Sequence, residues 1–429
     1  MSHPAPADPL VAHGPIGPAA HGWTQAFLAV AAALVTTLAT AALGLWAAGA
    51  GELPGGAFPT VVAAVAVLAV GGTVDLTGNA GPLSATGVEL TVVPLSVTLA
   101  GALVLARSFL RPLRLRAVAG ARELLGWAAR LGALWALVLV GLAAVARHSF
   151  AVTPEGTVSD IADLLGISAE AGFEADVPLT LVYGLIWLAA LLAIALLASH
   201  RAPLPAQLVR FHAVVRPAAH AMVTLLLVYV ALALVIALVV AATRGHAVET
   251  LAVVLLGLPN LAWLAMSFGL GASWDGVAEG PFGLPMPKAL DAVLRTPGGT
   301  TVDLRSLAAE EGRVWWLLVV FAVLVSVAAV AAAVRTPAPL RPWHHAFRMA
   351  VALVLTVLMV SLLCRVDVSY GLSLFGLGDV GGALAARVQL LPHWGTALGA
   401  AALWGLVTGL LAGLLVGAVR RRSASGDNA

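Results

Sequence analysis

Ten stretches of the chain are apolar over lengths that suit a bilayer, and segments rich in Pro, Gly, Arg or acidic residues separate them. They are Trp23 to Ala48, Phe58 to Val74, Val88 to Leu110, Leu124 to Ala146, Pro178 to Ala198, His220 to Ala242, Glu249 to Leu270, Val314 to Val334, Met349 to Leu363 and Trp394 to Ala418. A hydrocarbon core of ~30 Å takes ~20 apolar residues per helix. The runs do not alternate with period two, and open strands would leave amides unpaired in lipid, so the pattern predicts helices rather than a barrel. The run Glu249 to Leu270 is interrupted by Leu258-Pro259-Asn260. Proline removes a backbone donor and disfavours helical dihedrals in the preceding residue, so a straight helix is not expected there.

Composition agrees with this pattern: of 429 residues, 61% are hydrophobic and only 10% charged, outside the range of soluble globular domains. The expected class is an all-α polytopic transmembrane bundle. Cys364 is the only cysteine, which excludes an intrachain disulfide and a cysteine-based metal cluster. Of the 23 basic residues only Lys288 is lysine, and with the excess of Ala, Gly and Val this points to a GC-rich bacterial genome and hence to a bacterial plasma membrane. No basic stripe with interleaved aromatics supports nucleic-acid binding. The segment before Trp23 lacks Lys and Arg, so it does not read as a cleaved signal peptide, and Trp23 to Ala48 is expected to be a retained first span.

Charge sets the expected orientation. Arginines cluster at Arg111, Arg114, Arg116 and Arg122; at Arg201, Arg210 and Arg216; at Arg335, Arg341 and Arg348; and at Arg420, Arg421 and Arg422. Under the positive-inside rule all four segments are cytoplasmic. Acidic residues concentrate between Glu155 and Asp176 and between Asp275 and Glu311, which are expected outside. Ten simple crossings cannot satisfy both assignments. The two runs lying between external loops are Phe58 to Val74, the short one, and the run broken at Pro259. Both are expected to dip in from outside and return, giving about eight full crossings with both termini cytoplasmic. The alternative keeps Phe58 to Val74 as a crossing and puts the N-terminus outside.

This order of elements divides the chain into a disordered cytoplasmic N-terminus (1–22), a first membrane half (23–198), a cytoplasmic linker (199–219), a second membrane half (220–419) and a cytoplasmic tail (420–429). The halves carry the same element order, as in a parallel internal repeat. Gly71-Gly72-Thr73-Val74-Asp75 is echoed by Gly271-Ala272-Ser273-Trp274-Asp275, Gly81-Pro82 by Gly280-Pro281, and Pro112-Leu113-Arg114 by Pro339-Leu340-Arg341. A competing echo, Gly298-Gly299-Thr300-Thr301-Val302-Asp303-Leu304, would align the following span instead.

The run Leu53-Pro54-Gly55-Gly56-Ala57-Phe58-Pro59, then Val70 to Leu76, then Val93-Pro94-Leu95-Ser96-Val97-Thr98-Leu99-Ala100-Gly101 through Leu110-Arg111-Pro112-Leu113-Arg114, resembles the streptophobe family. Those are very hydrophobic polytopic membrane proteins of streptomycetes without an assigned activity, so the resemblance implies a fold class and no site residues. More loosely, Leu258-Pro259-Asn260-Leu261-Ala262-Trp263 with Gly269-Leu270-Gly271 is similar to actinobacterial PerM-like cell-division membrane proteins.

Candidate chemistry is sparse. No phosphate loop, zinc helix or nucleophile elbow is present, nothing calls for a cofactor, and an enzyme is not expected. His344 and His345 adjoin arginines and read as headgroup-facing rather than metal-binding. Arg107 and Arg130 read as snorkelling anchors, and Glu89 and Glu249 as carboxylates at helix N-termini. Asp75 and Asp275 follow Gly-rich turns, where they either select cations at an external mouth or satisfy their own turn amides. Asn260, at the tip of the dip beside Pro259, either lines a path or satisfies carbonyls freed by the proline. Gly405, Gly409, Gly413 and Gly417, at four-residue spacing, form a packing ridge for another helix of the fold or of a second copy. Trp23, Trp315, Trp316, Trp343 and Trp394 stand at run ends, as an interfacial belt requires.

Two functions follow as expectations. One is a solute or ion conduit with its site between the paired re-entrant segments. The other is a non-catalytic envelope or cell-division membrane protein acting through partner contacts. Beyond the lipid bilayer, the partner class is left between a second copy and another membrane protein. A membrane-embedded enzyme would need acids or histidines gathered at one interface, which only the external acidic loops approach.

Overall fold

The computed structural model describes residues 22–80, 83–85, 88–90, 92–113, 121–152, 169–199, 206–279, 288–296, 300–336, 341–370, 372–374 and 386–426. The N-terminal segment, Arg114, Arg116, Arg201, most of the acidic loop after Glu155, and the echoes at Gly81, Gly280, Gly298 and Pro339 lie outside them.

Helices dominate, as the runs predict. In the first half they are α1 (Trp23–Ala47), α2 (Phe58–Ala69), α3 (Leu95–Leu113), α4 (Ala121–Val145) and α5 (Val177–Ala198). The second half contains α6 (Ala206–Arg244), α7 (Ala247–Leu256), α8 (Leu258–Leu270), the short α9 (Lys288–Leu294) and α10 (Leu304–Glu310), α11 (Trp316–Val334), α12 (Pro342–Cys364) and α13 (Trp394–Gly426). Among the described residues eight helices are long and apolar enough to span a bilayer; α7 and α8 form one further apolar pair bent by 75° at Gly257, and α2 is a shorter apolar helix. The chain is therefore a multi-pass membrane protein. The linker boundary differs from expectation: α6 begins at Ala206 and runs without interruption into its apolar part, with Pro217 inside it. Likewise α13 extends past residue 420 to Gly426.

Ten strands among the described residues, which the hydropathy pattern did not announce, gather at one end of the bundle. In the first half β1 (Val74–Ala80), β2 (Leu83–Ala85), β3 (Val88–Leu90), β4 (Arg147–Val152) and β5 (Ala169–Ala175) form a sheet in the order β4-β5-β1, with β3 and β2 on the far edge of β1. The second half supplies β6 (Trp274–Glu279), β7 (Thr300–Val302), β8 (Val366–Tyr370) and β10 (Ala386–Pro392), ordered β8-β10-β6-β7. A short β9 (Leu372–Leu374) leaves the second half and pairs with β2, with Ser373 opposite Ser84, which joins the two sheets across the halves. Glu89 lies in β3, opposite Asp75, rather than capping a helix. The helix it was expected to open begins only at Leu95, because Pro94 lacks the N–H that would continue a helix backwards.

Because β1, β3, β4 and β5 are joined in one sheet, the helix ends they continue (α2, α3, α4 and α5) lie together. The opposite ends of α3, α4, α11, α12 and α13 carry Arg111, Arg122, Arg335, Arg341 and Arg420. Ala26, Ala29 and Val30 of α1 share a buried cluster with Phe109 and Leu110 of α3, so α1 begins at that same arginine-rich end. The first described helix therefore starts, and the last one finishes, on the side away from the sheets.

Lipid offers helices no hydrophobic drive to associate, so close packing and interhelical hydrogen bonds hold the bundle. Buried and half-buried tryptophans contribute both. Trp127 Nε1 donates to the Phe109 carbonyl (3.3 Å), Trp263 Nε1 to that of Leu226 (3.2 Å) and Trp404 Nε1 to that of Leu270 (3.1 Å). Trp135 stacks on Trp187 at 5.6 Å and Phe321 meets Trp404 edge-on at 5.3 Å, distances favourable for aromatic pairs. Trp23, Trp315, Trp316, Trp343 and Trp394, in contrast, are all exposed near helix ends.

Candidate functional site

The break at Pro259 sits against the start of α3, and two polar side chains explain its shape. In an unbroken helix the Leu258 N–H would donate to the Val254 carbonyl. Here the Ser96 hydroxyl stands between them, accepting from Leu258 N–H (3.2 Å) and donating to Val254 O (2.7 Å). Pro259 has no N–H to offer the turn above, so the helix loses a second rung and bends. Asn260 then reaches the other half of the chain. Its Oδ1 accepts from Leu95 N–H (3.0 Å) and its Nδ2 donates to the Val93 carbonyl (2.9 Å). These are backbone groups at the N-terminal end of α3, and a helix start in an apolar surrounding must find partners for them. The Cys364 thiol lies 3.9 Å from the Asn260 carbonyl.

Asn260 thus pairs through its side chain with the start of α3. It satisfies backbone groups, but those of α3 rather than carbonyls freed by Pro259. Pro259 and Leu258 are buried. Next to them, Leu256 of α7 packs against an apolar cluster formed by Ala41 of α1, Val62 and Ala69 of α2 and Val97 of α3, so α7 meets the first half through apolar side chains. A Cβ on Gly44 of α1 would come within 2.7 Å of the Leu256 side chain, which shows how closely α1 and α7 approach.

Both ends of α2 lie near the first sheet. A Cβ on Gly55, just before α2, would meet His148 of β4 at 3.5 Å, and α2 leads through Gly71 into β1. The turns after α2 and α8 have the same construction. Gly71 (φ 83°) and Gly271 (φ 95°) take left-handed dihedrals that favour glycine. Gly72 N–H donates to Val67 O as Ala272 N–H does to Ser267 O, both at 3.0 Å. Thr73 O accepts from Asp176 N–H (3.3 Å) as Ser273 O does from His393 N–H (3.0 Å).

Asp75 and Asp275 occupy corresponding places on different sheets, and both are exposed. Asp275 Oδ1 lies 2.8 Å from His393 Nε2. Asp75 stands in register between Glu89 and Glu174, with Arg147 opposite Glu174. The corresponding neighbours of Asp275 are Thr301 and Leu391. In register, acidic residues thus stand on both strands beside Asp75 and on neither beside Asp275. Asp176 instead caps α5, accepting from Leu179 N–H at 2.7 Å.

The glycine ridge of α13 faces α12. A Cβ at Gly405 would collide with the Ala350 backbone, one at Gly409 would stand 2.7 Å from the His345 carbonyl, and one at Gly413 3.0 Å from Pro342 Cα. Gly417 has open space in that direction. Glu249 lies in the first turn of α7, 3.7 Å from His246, in keeping with its expected place at a helix N-terminus. Among the described residues no cluster of three or more His, Cys, Asp or Glu is arranged to hold a metal ion. Sequence reasoning missed Ser96 and His393. A lone serine inside an apolar run and a histidine following a proline carry no local signal of partners more than 100 residues away. The chain matches no known protein-family profile, no curated protein and no solved structure.

Proposed function

We propose that this integral membrane protein is non-catalytic and acts through contacts of its exposed ends with envelope partners, rather than by passing a solute between its two halves. The observation that carries this reading is the junction at Asn260: the amide that would line a path is committed at both its polar atoms to the start of α3. A conduit through that point would have to break these bonds and part α7 from the apolar cluster on which Leu256 packs. The conduit expectation built on Asp75, Asp275, Asn260 and Pro259 loses support at its centre, although the two aspartates stay accessible.

In this reading the halves are copies of one unit. The matching strand orders β4-β5-β1-β3 and β8-β10-β6-β7 and the matching turns after α2 and α8 support it, pairing Gly71 to Asp75 with Gly271 to Asp275. The short α2 and the bent α7–α8 pair are then re-entrant elements, each starting and finishing on the sheet side. The arginine-rich end is cytoplasmic and the joined sheets form an external platform. Kinship with the streptophobe proteins is part of the same proposal and brings no activity with it.

Reconstitution into proteoliposomes tests the choice. The proposal expects no flux of inorganic cations, anions or small polar solutes above protein-free vesicles. Flux that Asp75→Asn and Asp275→Asn both reduce would overturn it in favour of the conduit.

A further inference from the structure

The arginine-rich end contains a feature that the sheet-side reading does not use. α5, α6 and α12 diverge there around an apolar groove of about 350 Å³, walled by side chains that include Leu197, Val215, Met222, Leu226, Val351 and Met359. Along α12 its lining runs from Phe347 and Arg348 to Met359. At 1.5 Å per residue that is roughly 17 Å, a length suited to a fatty acyl chain. Arg348 is the only ionisable group in the lining and sits at the arginine-rich mouth. It also lines a small adjoining niche with His345 and Thr336.

Cationic groups surround this mouth. Arg216 and Arg335 lie within electrostatic reach of His220, and Arg348, Arg420 and His344 within reach of His345. The Nε of Arg216 and the Nδ1 of His344 are buried without a hydrogen-bond partner among the described residues. Among the described residues, Glu123 on α4 is the one acidic residue at this end of the bundle. Buried guanidinium donors left unpaired are costly, and an external anion that supplies acceptors removes the penalty.

We infer that the groove between α5, α6 and α12 binds one anionic phospholipid, an acyl chain lying against Met222 and Met359 and the phosphate at Arg348, with Arg216 and His345 beside it. An apolar channel open to the bilayer selects a lipid tail over a soluble metabolite. The one-signed charge at its mouth selects an anionic headgroup over a zwitterionic one.

Native mass spectrometry of the full-length protein, released from nanodiscs of equimolar dioleoylphosphatidylglycerol and dioleoylphosphatidylcholine, tests this. One phosphatidylglycerol should be retained per chain in preference to phosphatidylcholine. Arg348→Gln should lower that retention about fivefold, the factor equivalent to about 1 kcal/mol per arginine near an anionic surface. Arg216→Gln, on a different helix, provides an independent second variant should the first fail to fold. Arg422→Gln, with the same change in net charge, should leave retention unchanged, and Ala352→Phe, which fills the groove, should abolish it. Inorganic phosphate at the same concentration as the lipid should not compete. Equal retention of both lipids, equal losses in Arg422→Gln and Arg348→Gln, indifference to Ala352→Phe, or displacement by phosphate alone would each overturn the inference.

Discussion

Asn260 and Leu95, 165 residues apart, are joined by a 3.0 Å hydrogen bond from the Leu95 N–H to the Asn260 side-chain oxygen, while the amide nitrogen of Asn260 donates to Val93 O. One side chain from the second half thus completes the first turn of a helix in the first half. Replacing it by leucine leaves a backbone donor and a backbone acceptor unpaired in an apolar setting, at about 1–3 kcal/mol for each group. Asn260→Leu should lower the thermal midpoint in detergent substantially. Asn260→Asp, which keeps the acceptor but not the donor, should fall between it and wild type. Equal stability of all three proteins would show that α3 does not depend on this contact.

Ser96 inserts its hydroxyl between Leu258 N–H and Val254 O, so it both accepts and donates at the bend. Removing it in Ser96→Ala strands a donor on α8 and a carbonyl on α7. The expected loss is about 1–2 kcal/mol, near the upper end of measured interhelical hydrogen bonds in bilayers. Ser96→Thr keeps the hydroxyl and should lose less. The check is the urea or thermal midpoint of the two variants measured side by side.

What could be read from the sequence, and what could not, follows from the reach of each signal. Apolar runs of bilayer length are local, so all eight long helices were legible, as were the break at Pro259 and the brevity of α2. The glycine spacing of α13 was equally local, and its partner α12 is adjacent in order. The sheets were not legible. Their strands are short, and several continue apolar runs: Val88 to Leu90 reads as the start of the α3 run until pairing with β1 claims it. Asn260 drew notice through its neighbour Pro259, but its bonding partners at Val93 and Leu95 could be known only from the fold. His393 and Asp275 likewise meet only because β10 lies beside β6.

The His393–Asp275 pair is half exposed, with side-chain exposures of 46% and 62%. Exposed polar pairs of this kind contribute about 0–1 kcal/mol. Asp275→Asn should therefore change stability very little, and any larger effect on a cellular phenotype would report a role in contacts rather than in folding. Comparing Asp275→Asn for thermal midpoint and for complementation separates the two.

Orientation can be tested at two exposed positions on opposite ends, Glu310 after the second sheet's β7 and Arg422 on α13. In a Cys364→Ala background, single cysteines there should differ in labelling by a membrane-impermeant maleimide on intact cells: Cys at 310 reacts, Cys at 422 reacts only after permeabilisation. Cys364 is buried, and replacing its thiol by hydrogen leaves a small cavity that should perturb the core modestly. The reverse pattern would invert the whole assignment. Labelling of both positions from outside would break the link between the sheets and a single side.

The α13 ridge supports the sharpest stability prediction. At Gly409 a Cβ would stand 2.7 Å from the His345 carbonyl, and at Gly413 3.0 Å from Pro342 Cα, so a side chain there must push two helices apart rather than displace a flexible neighbour. Gly409→Leu should cost several kcal/mol by the overpacking argument, on the order of 1–3 or more, and Gly413→Leu somewhat less because its contact is longer. Gly417→Leu serves as the control, since nothing lies within 4 Å of its Cβ position, and leucine raises helix propensity there by about 0.5–1 kcal/mol. Thermal midpoints should therefore fall in the order Gly417→Leu, wild type, Gly413→Leu, Gly409→Leu. A Gly409→Leu protein as stable as wild type would mean that α12 and α13 are not held at backbone contact.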